Sequence, residues 1–244
     1  STARALLDIA GYYRSKFDVK VVGVTGSVGK TTTKDMIALV VAQKYKTLKT
    51  QGNHNNEIGM PQTLFGLDSS YEAAVIEMGM SHQGEISRMS MSCQPDVAAI
   101  TNIGISHIEN LGTQENILKA KLEILDGAAY DAPLILCRDD KLLAGVQLHS
   151  DRKVYYYSVS KKDCYVYASG VKTVDNSITF TINYEGAKIA AQINCLGEHN
   201  VKNALAAFCV GLALDIPPED IVKGIAQFKP EGLRQNVTVI DGVT

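Results

Sequence analysis

The sequence predicts an α/β protein with a mostly parallel, doubly wound sheet and a smaller antiparallel side sheet. Through about residue 140, short apolar or β-branched runs alternate with segments of helical periodicity, as in a parallel sheet covered by helices. From residue 153 onward, closely spaced alternating runs, the later ones separated by Asp175-Asn176 and Glu185-Gly186, are typical of antiparallel strands joined by tight turns. The carboxyl ends of parallel strands meet at one edge, and we expect any ligand there.

The predicted elements follow this pattern along the chain. Strands are assigned where β-branched and small apolar residues cluster, and helices where apolar residues recur every three or four positions. The parallel part has predicted strands at residues 19–24, 45–48, 71–78, 96–101 and 133–137, and predicted helices at residues 3–17, 34–42, 56–67, 84–92 and 114–127. The antiparallel strands are predicted at residues 153–159, 165–174, 177–184 and 188–195, followed by helices over residues 200–214 and after Pro217.

The composition is that of an ordinary globular protein. Of 244 residues, 45% are hydrophobic and 20% charged, and the net charge of −2 gives no electrostatic reason to expect nucleic acid as a partner. Five scattered cysteines without a C-x-x-C pair argue for reduced thiols in the cytoplasm and against a disulfide frame or a zinc site. The apolar run at residues 36–42 is far too short for a membrane span, and none is expected.

Residues 19–33 have the order of a phosphate-binding loop, or P-loop: a valine-rich strand, a glycine turn, Lys30 and Thr31, and a helix. Backbone N–H groups of such a loop face an anion, Lys30 adds a positive charge, and the Thr31 hydroxyl is able to bind Mg²⁺. The strict pattern fails by one place because Gly23 stands one residue too far from Gly29, and glycine-rich turns before helices also occur without a ligand. The expected phosphate-binding residues are Gly26, Ser27, Val28, Gly29, Lys30, Thr31 and Thr32.

Two further side chains are expected at the same edge of the sheet. Glu77 lies at the end of a predicted strand, where an acid can hold Mg²⁺ beside the phosphates, although a surface acid is the simpler reading. His107 follows another strand end, and a histidine there is either a ligand or a structural side chain. Their shared edge with the P-loop places both in the predicted site.

Lys121 is unusual because it falls on an apolar helix face. On a helical wheel with Leu118 at 0° and about 100° per residue, Lys121 lies at about 300°, inside an apolar arc that runs from about 240° through zero to about 40°. Lys119 lies at about 100°, outside that arc. A lysine on a buried face is unfavourable unless it is paired or chemically changed, and the alternative is a lysine at the rim whose amine reaches water. The arc is formed by Ile117, Leu118, Leu122, Ile124 and Leu125.

Six motifs of the sequence form a recognisable set. They are residues 23–34 (GVTGSVGKTTTK), 52–61 (GNHNNEIGMP), 77–79 (EMG), 101–107 (TNIGISH), 120–123 (AKLE) and 196–204 (LGEHNVKNA). Together these motifs resemble the Mur ligase family of ATP-dependent amide ligases of cell-wall synthesis. The P-loop and the Asn-rich segment are similar to the MurF type, the UDP-N-acetylmuramoyl-tripeptide–D-alanyl-D-alanine ligases. The resemblance covers about residues 1–236.

The resemblance implies a role for each matching site residue. Lys30 and the loop backbone would hold the β- and γ-phosphates of ATP. Thr31 and Glu77 would hold one Mg²⁺, and His107 with a carbamylated Lys121 would hold a second. A carbamate agrees with the helical wheel, because a neutral lysine adds CO₂ to become an anion that cations stabilise.

The asparagines and one arginine extend this expected site. The resemblance places Asn53, Asn55 and Asn56 near the γ-phosphate and the acceptor carboxylate, whereas an ordinary Asn-rich turn is the alternative. It places Asn200 and Asn203 against adenine. Asn203 lies about 160° from the apolar face of its helix, which frees it for a ligand, and Asn200 fits a helix N-cap equally well. Arg234 resembles the arginine that closes on the phosphates in this family, although the residues around it match the family's motif less closely.

The resemblance also implies domains and a reaction. Residues 1–18 would be a linker helix, residues 19–236 the central ATP-binding domain, and residues 237–244 the start of a C-terminal domain. UDP-N-acetylmuramoyl-tripeptide would be activated as an acyl phosphate, and the amine of D-alanyl-D-alanine would displace phosphate. The family's N-terminal domain and most of its C-terminal domain are missing, so we expect these residues alone to bind ATP weakly and not to ligate. A cytoplasmic monomer is expected.

Other functions remain open at this point. Another Mur ligase or a folylpolyglutamate-synthase-like ligase shares the chemistry, and the Asn-rich loop at residues 53–61 argues against both. A P-loop switch or motor ATPase would not require Lys121 on an apolar face. The chain by itself could also be a nucleotide-binding module only.

Overall fold

A computed structural model describes residues 2–148 and 151–230, with nine strands. The first five strands are β1 (Lys20–Thr25), β2 (Thr47–Lys49), β3 (Ala73–Glu77), β4 (Val97–Ile100) and β5 (Leu134–Cys137). The remaining four strands are β6 (Val154–Ser158), β7 (Val166–Val174), β8 (Ser177–Tyr184) and β9 (Ala187–Ile193). All nine form one sheet in the order β2-β3-β1-β4-β5-β6-β7-β8-β9, so the P-loop strand β1 lies inside the sheet.

The predicted fold class is confirmed, with one strand reassigned. Strands β1 to β6 pair in parallel, and β7, β8 and β9 pair with one another antiparallel at the edge of the same sheet. The prediction that residues 153–159 begin the antiparallel strands is wrong, because β6 pairs parallel with both β5 and the start of β7. Its alternating sequence misled the assignment, whereas the long connection from β5 has the length of a parallel crossover.

The helices agree with the predicted ones in order, with two additions. Those bearing on the site are α1 (Thr2–Arg14), α2 (Lys30–Val41), α3 (Gly59–Leu64), α4 (Glu85–Cys93), α5 (Ile108–Leu111), α6 (Gln114–Leu122), α7 (Lys141–Ala144), α8 (Glu198–Ala213) and α9 (Pro218–Ala226). Helices α5 and α7 were not predicted because four residues show no helical period. Helix α2 begins four residues earlier than predicted, and α6 ends at Leu122, followed by a 3-10 turn at Glu123–Leu125.

Two groups of helices cover the sheet. Helices α2, α8 and α9 pack on one another, and α1 packs on α3 and α4, with α6 beside α4. Strands β1, β3, β4 and β5 are buried along nearly their whole length, as expected for parallel strands covered on both faces. Within the described residues, no helix is long and apolar enough to cross a bilayer.

The predicted linker helix α1 packs into the central hydrophobic core. Its Leu7 and Ala10 are buried there, and the Arg14 guanidinium donates to the carbonyls of Cys93 (2.9 Å) and Val19 (3.2 Å). The domain boundary at residue 18 stays a prediction. The predicted start of a C-terminal domain, residues 237–244, lies outside the described residues.

Candidate active site

The loop between β1 and α2 requires glycine at two positions. Gly26 has φ 153° and Gly29 has φ 78°, both in the region that favours glycine. A Cβ on Gly26 would lie 1.9 Å from Oγ1 of Thr101, so no larger residue fits without a shift of the neighbouring strand end. Helix α2 begins directly after Gly29, at Lys30. The one-place departure from the strict motif therefore leaves the strand–loop–helix geometry of a phosphate site in place.

The end of the neighbouring strand β4 holds this loop in shape. Thr101 Oγ1 and Asn102 Nδ2 each donate to the Val28 carbonyl at 2.8 Å. The Val28 N–H donates to Asn102 Oδ1 at 3.0 Å, and the Gly104 N–H donates to Ser27 Oγ at 2.8 Å. The sequence marks Thr101 and Asn102 only as part of a motif. Their position after a strand beside the P-loop strand was the signal for this supporting role.

Lys30 lies over the loop and lines the adjoining cleft. Its Nζ donates to the carbonyls of Gly26 (2.9 Å) and Ser27 (3.3 Å). Burial lowers the pKa of Lys30, and the nearby Glu77 partly opposes this shift. The cleft measures about 420 Å³, and its lining includes Asn55, Asn56 and His107. The positive charge thus sits where the loop meets a ligand-sized space.

Glu77 is a buried acid with one oxygen that has no partner. Its side chain lies at the end of β3 and is 1% exposed. Oε1 accepts hydrogen bonds from Asn55 Nδ2 (2.7 Å) and Thr31 Oγ1 (3.4 Å). Oε2 is buried without a hydrogen-bond partner in the described part of the chain, which is unfavourable for an isolated carboxylate.

The residues around Glu77 fit a magnesium ion bound together with phosphates. A carboxylate and a hydroxyl are oxygen ligands of the kind Mg²⁺ prefers. Within residues 2–148 and 151–230, no group of three or more His, Cys, Asp or Glu side chains could hold a metal by itself. Mg²⁺ commonly takes one or two carboxylates and completes its shell with phosphate oxygens and water, so the sparse protein ligand set is compatible with it.

The predicted placement of the two α6 lysines is confirmed. Lys121 is 2% exposed and, like Ile117 and Ile124 on the same predicted face, is buried, whereas Lys119 is exposed. Burial and, secondarily, the charge of Lys30 lower the pKa of Lys121 to about 7. A large fraction of this amine is therefore neutral at physiological pH, the state that reacts with CO₂. Lys121 also lies near enough to Lys30 for the charge of Lys30 to act on its amine.

His107 comes after β4, which lies on the opposite side of the P-loop strand β1 from β3 and Glu77, and His107 lines the same cleft as Lys30. It precedes α5 and has φ 66°, an uncommon conformation for a residue with a side chain. Such conformations occur more often at functional sites than elsewhere. The ligand role of His107 stays a proposal, which its position in the cleft and its backbone conformation both support.

The three asparagines of the Asn-rich loop differ in position. Asn55 bonds to Glu77, and its carbonyl accepts the Gly79 N–H at 2.7 Å. Asn56 lines the cleft, while its Oδ1 accepts the N–H groups of Ile58 (3.1 Å) and Gly59 (2.8 Å) at the start of α3. Asn53 is exposed and is not among the residues that line the cleft.

Asn200 and Asn203 are packed more tightly than the sequence indicated. The N-cap of α8 is Gly197, so the alternative reading of Asn200 as the cap is wrong. The helical wheel's prediction that Asn203 faces away from the packed side of α8 is also wrong: Asn203 is 7% exposed, and its Oδ1 accepts from Thr33 Oγ1 at 3.0 Å. Its role toward adenine stays a prediction. Its Nδ2 donates to Asn200 Oδ1 at 3.1 Å. The helical wheel failed because α8 packs on α2 and α9 as well as on the sheet.

Arg234, expected to close on the phosphates, lies outside the described residues. At the edge of the parallel sheet, Glu77 is hydrogen-bonded to Asn55 and Thr31, and Asn56 and His107 line the cleft beside Lys30. The charge of Lys30 contributes to the lowered pKa of Lys121.

Comparison with known proteins agrees with this geometry. The sequence profile of the Mur ligase middle domain matches residues 24–211, well over half of the chain. The chain belongs to the Mur ligase family. Among curated Mur ligases, the UDP-N-acetylmuramoyl-tripeptide–D-alanyl-D-alanine ligase of Bacillus subtilis is 41% identical over 240 residues, which are 98% of this chain and 51% of that protein.

Two solved Mur ligase structures are similar throughout the chain. MurF from Acinetobacter baumannii superposes with a TM-score of 0.91 at 34% identity, covering 97% of this chain and 52% of that one. MurF from Thermotoga maritima, solved in complex with ADP, superposes with a TM-score of 0.87 at 26% identity, covering 99% and 56%. Within the Mur ligases, the chain is similar to proteins of MurF type, and it spans about half the length of the curated relatives it matches.

Proposed function

We propose that the protein containing this chain is an ATP-dependent amide ligase of peptidoglycan precursor synthesis. It joins D-alanyl-D-alanine to UDP-N-acetylmuramoyl-tripeptide. The observation that carries the proposal is the buried Lys121, with its pKa lowered to about 7 by burial and by the nearby P-loop lysine Lys30. A site built only to bind nucleotide has no need of that lysine, and the names of the MurF relatives supply the substrates.

Each residue of the edge has a proposed task. The loop N–H groups and Lys30 hold the β- and γ-phosphates of ATP. Thr31 and Glu77 would hold one Mg²⁺, and His107 with carbamylated Lys121 a second. Bound there, Mg²⁺ supplies positive charge that stabilises the transferring phosphoryl group. The unpaired Oε2 of Glu77 and the neutral form of Lys121 support this assignment.

The surrounding asparagines have supporting tasks. Asn55 orients Glu77 through its 2.7 Å hydrogen bond and faces the cleft. Asn53 and Asn56 belong to the loop proposed to approach the γ-phosphate and the acceptor carboxylate. Asn200 and Asn203 are proposed on the adenine side. Asn203 supports this because a Cβ on Gly29 of the P-loop would lie 3.2 Å from its Oδ1.

The chemistry follows from the charges that must meet. In the first step, the terminal carboxylate of the tripeptide attacks the γ-phosphoryl group of ATP and forms an acyl phosphate with release of ADP. Two anions approach each other, and Lys30 lowers their repulsion. In the second step, the amine of D-alanyl-D-alanine attacks the acyl carbon, and phosphate leaves as the amide forms. The cleft beside Asn55 and His107 is the proposed meeting place.

The chain spans about half of its relatives, so residues outside it are expected to complete the substrate sites. We propose that residues 1–244 alone bind ATP weakly and do not ligate, because remote binding groups align the reacting atoms in such enzymes. A cytoplasmic monomer is part of the same proposal.

The test is phosphate release from ATP by the full-length protein. We expect release and a new amide product only when UDP-N-acetylmuramoyl-tripeptide and D-alanyl-D-alanine are both present. Reactions lacking either substrate serve as controls. Amide formation with single amino acids in place of the dipeptide would assign another Mur-type ligase, and glutamate addition to a folate would assign the folylpolyglutamate type. Rapid release without either substrate would favour a switch or motor ATPase.

A further inference from the structure

Lys34 is a buried lysine to which the proposed chemistry gives no task. It is 2% exposed, and its Nζ lies 2.9 Å from both the Thr50 carbonyl oxygen and Asp35 Oδ1. A buried ammonium is unfavourable unless such partners compensate for lost water. Lys34 follows Thr31 by three residues, so both side chains lie on the same face of α2. The lysine therefore sits one turn behind the proposed metal ligand.

Thr50 connects Lys34 to Glu77, the acid proposed to bind Mg²⁺. It is fully buried, and its N–H donates to the Val75 carbonyl at 3.0 Å, beside β3. Its Oγ1 accepts the Glu77 N–H at 3.0 Å. Glu77 in turn accepts from Thr31 on α2 through Oε1. Lys34, Thr50, Glu77 and Thr31 thus close a ring that fixes α2 against the ends of β2 and β3.

Charge neutralisation of Asp35 does not account for Lys34. Lys49 Nζ lies 2.7 Å from the same Asp35 Oδ1 and is partly exposed, so it can pair with the acid without being buried. What Lys34 contributes and Lys49 does not is the hydrogen bond to the Thr50 carbonyl. Removing it would leave a buried acceptor unpaired at the residue that anchors the Glu77 backbone.

We propose that Lys34 is a positioning residue for Glu77. By holding Thr50, it fixes the backbone at Glu77, so that Oε2 is presented to a Mg²⁺ bound with the nucleotide. The inference rests on the proposed function for the presence of that ion. Outer partners of a metal ligand commonly change metal affinity by about 10- to 100-fold when they are removed.

The test measures how much Mg²⁺ strengthens ADP binding. ADP is titrated calorimetrically into the full-length protein with excess Mg²⁺ and again with EDTA, and the ratio of the two dissociation constants reports the coupling between ion and nucleotide. We expect Lys34→Met to lower this ratio by about 10-fold or more while changing ADP affinity in EDTA by less than about 2-fold. Thermal unfolding confirms that each variant is folded.

Three further variants separate positioning from general structure. Lys49→Met removes the other partner of Asp35 and is expected to leave the ratio unchanged. Thr50→Val removes the hydroxyl that accepts from Glu77 and should lower the ratio as Lys34→Met does, whereas Thr50→Ser retains it. If Lys34→Met does not fold, the two Thr50 variants decide the question.

Each contrary outcome overturns the inference. A folded Lys34→Met with an unchanged ratio, an equal loss in Lys49→Met, or an unchanged Thr50→Val would each do so. A wild-type protein whose ADP affinity is the same with Mg²⁺ and EDTA would remove both this inference and the proposed magnesium site. A normal Mg²⁺ ratio without amide formation would overturn the proposed reaction alone and leave the role of Lys34 standing.

Discussion

The parallel and antiparallel parts of the sheet treat buried polar groups differently. In the parallel part, β1 ends at the buried Thr25, β3 ends at the buried Glu77, and the buried Thr101 directly follows β4. Of these groups, Glu77 Oε2 has no hydrogen-bond partner among the described residues. In the antiparallel part, burial alternates along β8, and the buried Asn183 donates to several acceptors, the shortest bond being 2.8 Å to Ser169 Oγ.

This contrast separates what folding requires from what a ligand requires. The antiparallel edge satisfies its buried amide internally, as stable folds usually do. The parallel edge keeps an unpaired carboxylate oxygen and a lysine with a pKa of about 7, both of which lower stability when nothing is bound. Groups held at such a cost are expected where phosphate and metal ions compensate for it. The comparison predicts that substitutions at the parallel edge affect binding and that those at the antiparallel edge affect stability only.

The largest expected effect is that of Lys30→Ala on nucleotide binding. Loss of the charge proposed to contact the phosphates should weaken ATP–Mg²⁺ binding by roughly 1,000-fold or more. The fold should change little, because Lys30 lies at a loop–helix junction outside the hydrophobic core. Calorimetric titration of the full-length protein measures this, with Lys188→Ala on the exposed edge strand β9 as the control. Unchanged ATP–Mg²⁺ affinity in a folded Lys30→Ala protein would contradict the expected difference between the two edges of the sheet.

The second prediction compares two lysines of one helix. Lys121→Ala should lower ligase activity of the full-length protein by roughly 100- to 1,000-fold, because it removes the proposed carbamate charge beside the phosphates. Acetate should restore part of the activity by occupying the vacated space. Lys119→Ala, on the exposed face of α6, should have nearly full activity. Equal losses in both variants, or an active Lys121→Ala enzyme, would remove Lys121 from the site.

The third prediction concerns pH. The pKa of Lys121 is lowered from 10.5 to about 7 in the folded state, so between these values the unfolded chain binds more protons and stability rises with pH. Relative to Lys121→Met, wild type without nucleotide should gain roughly 2 kcal/mol of stability between pH 7 and pH 9. Hydrogen exchange of β1 amides in CO₂-free buffer measures the difference. A difference that is constant with pH would show that Lys121 titrates normally.

The smallest effect is expected at the antiparallel edge. Ser169→Ala removes one hydrogen bond from the Asn183 amide, which retains the carbonyls of Tyr167 and Thr181 as acceptors. We expect a loss of about 1 kcal/mol in stability and no change in ADP affinity. Thermal unfolding and calorimetry on the same sample test both parts. A clear loss of ADP affinity would mean that the two edges are coupled.

The sequence contained most of the fold because local patterns were strong. Buried valine and alanine runs marked the parallel strands, and a helical wheel correctly placed Lys121 inward and Lys119 outward. The parallel pairing of β6 was missed because periodicity describes which face is buried and carries no information on strand direction. Helices α5 and α7 were missed because they are single turns.

The site was less predictable than the fold. Lys30, Glu77 and Asn55 meet through strand order, which residue spacing alone does not fix. The wheel for α8 failed at Asn203 because it assumes one buried face, whereas α8 is covered by two layers. Lys34 was read as part of a motif, and its link to Glu77 passes through Thr50, a partner distant in sequence from α2. Such contacts depend on tertiary packing that periodicity does not describe.

The most direct measurement is a crystal structure of the full-length protein with ADP and Mg²⁺. The account predicts phosphates on the residues 26–32 loop, an ion about 2.0–2.1 Å from Glu77 Oε2 with Thr31 in its shell, and carbamate density on Lys121. ADP bound away from the P-loop, or Glu77 Oε2 paired with a protein N–H and without a metal ion, would contradict the claim that this edge is built to hold phosphate and magnesium.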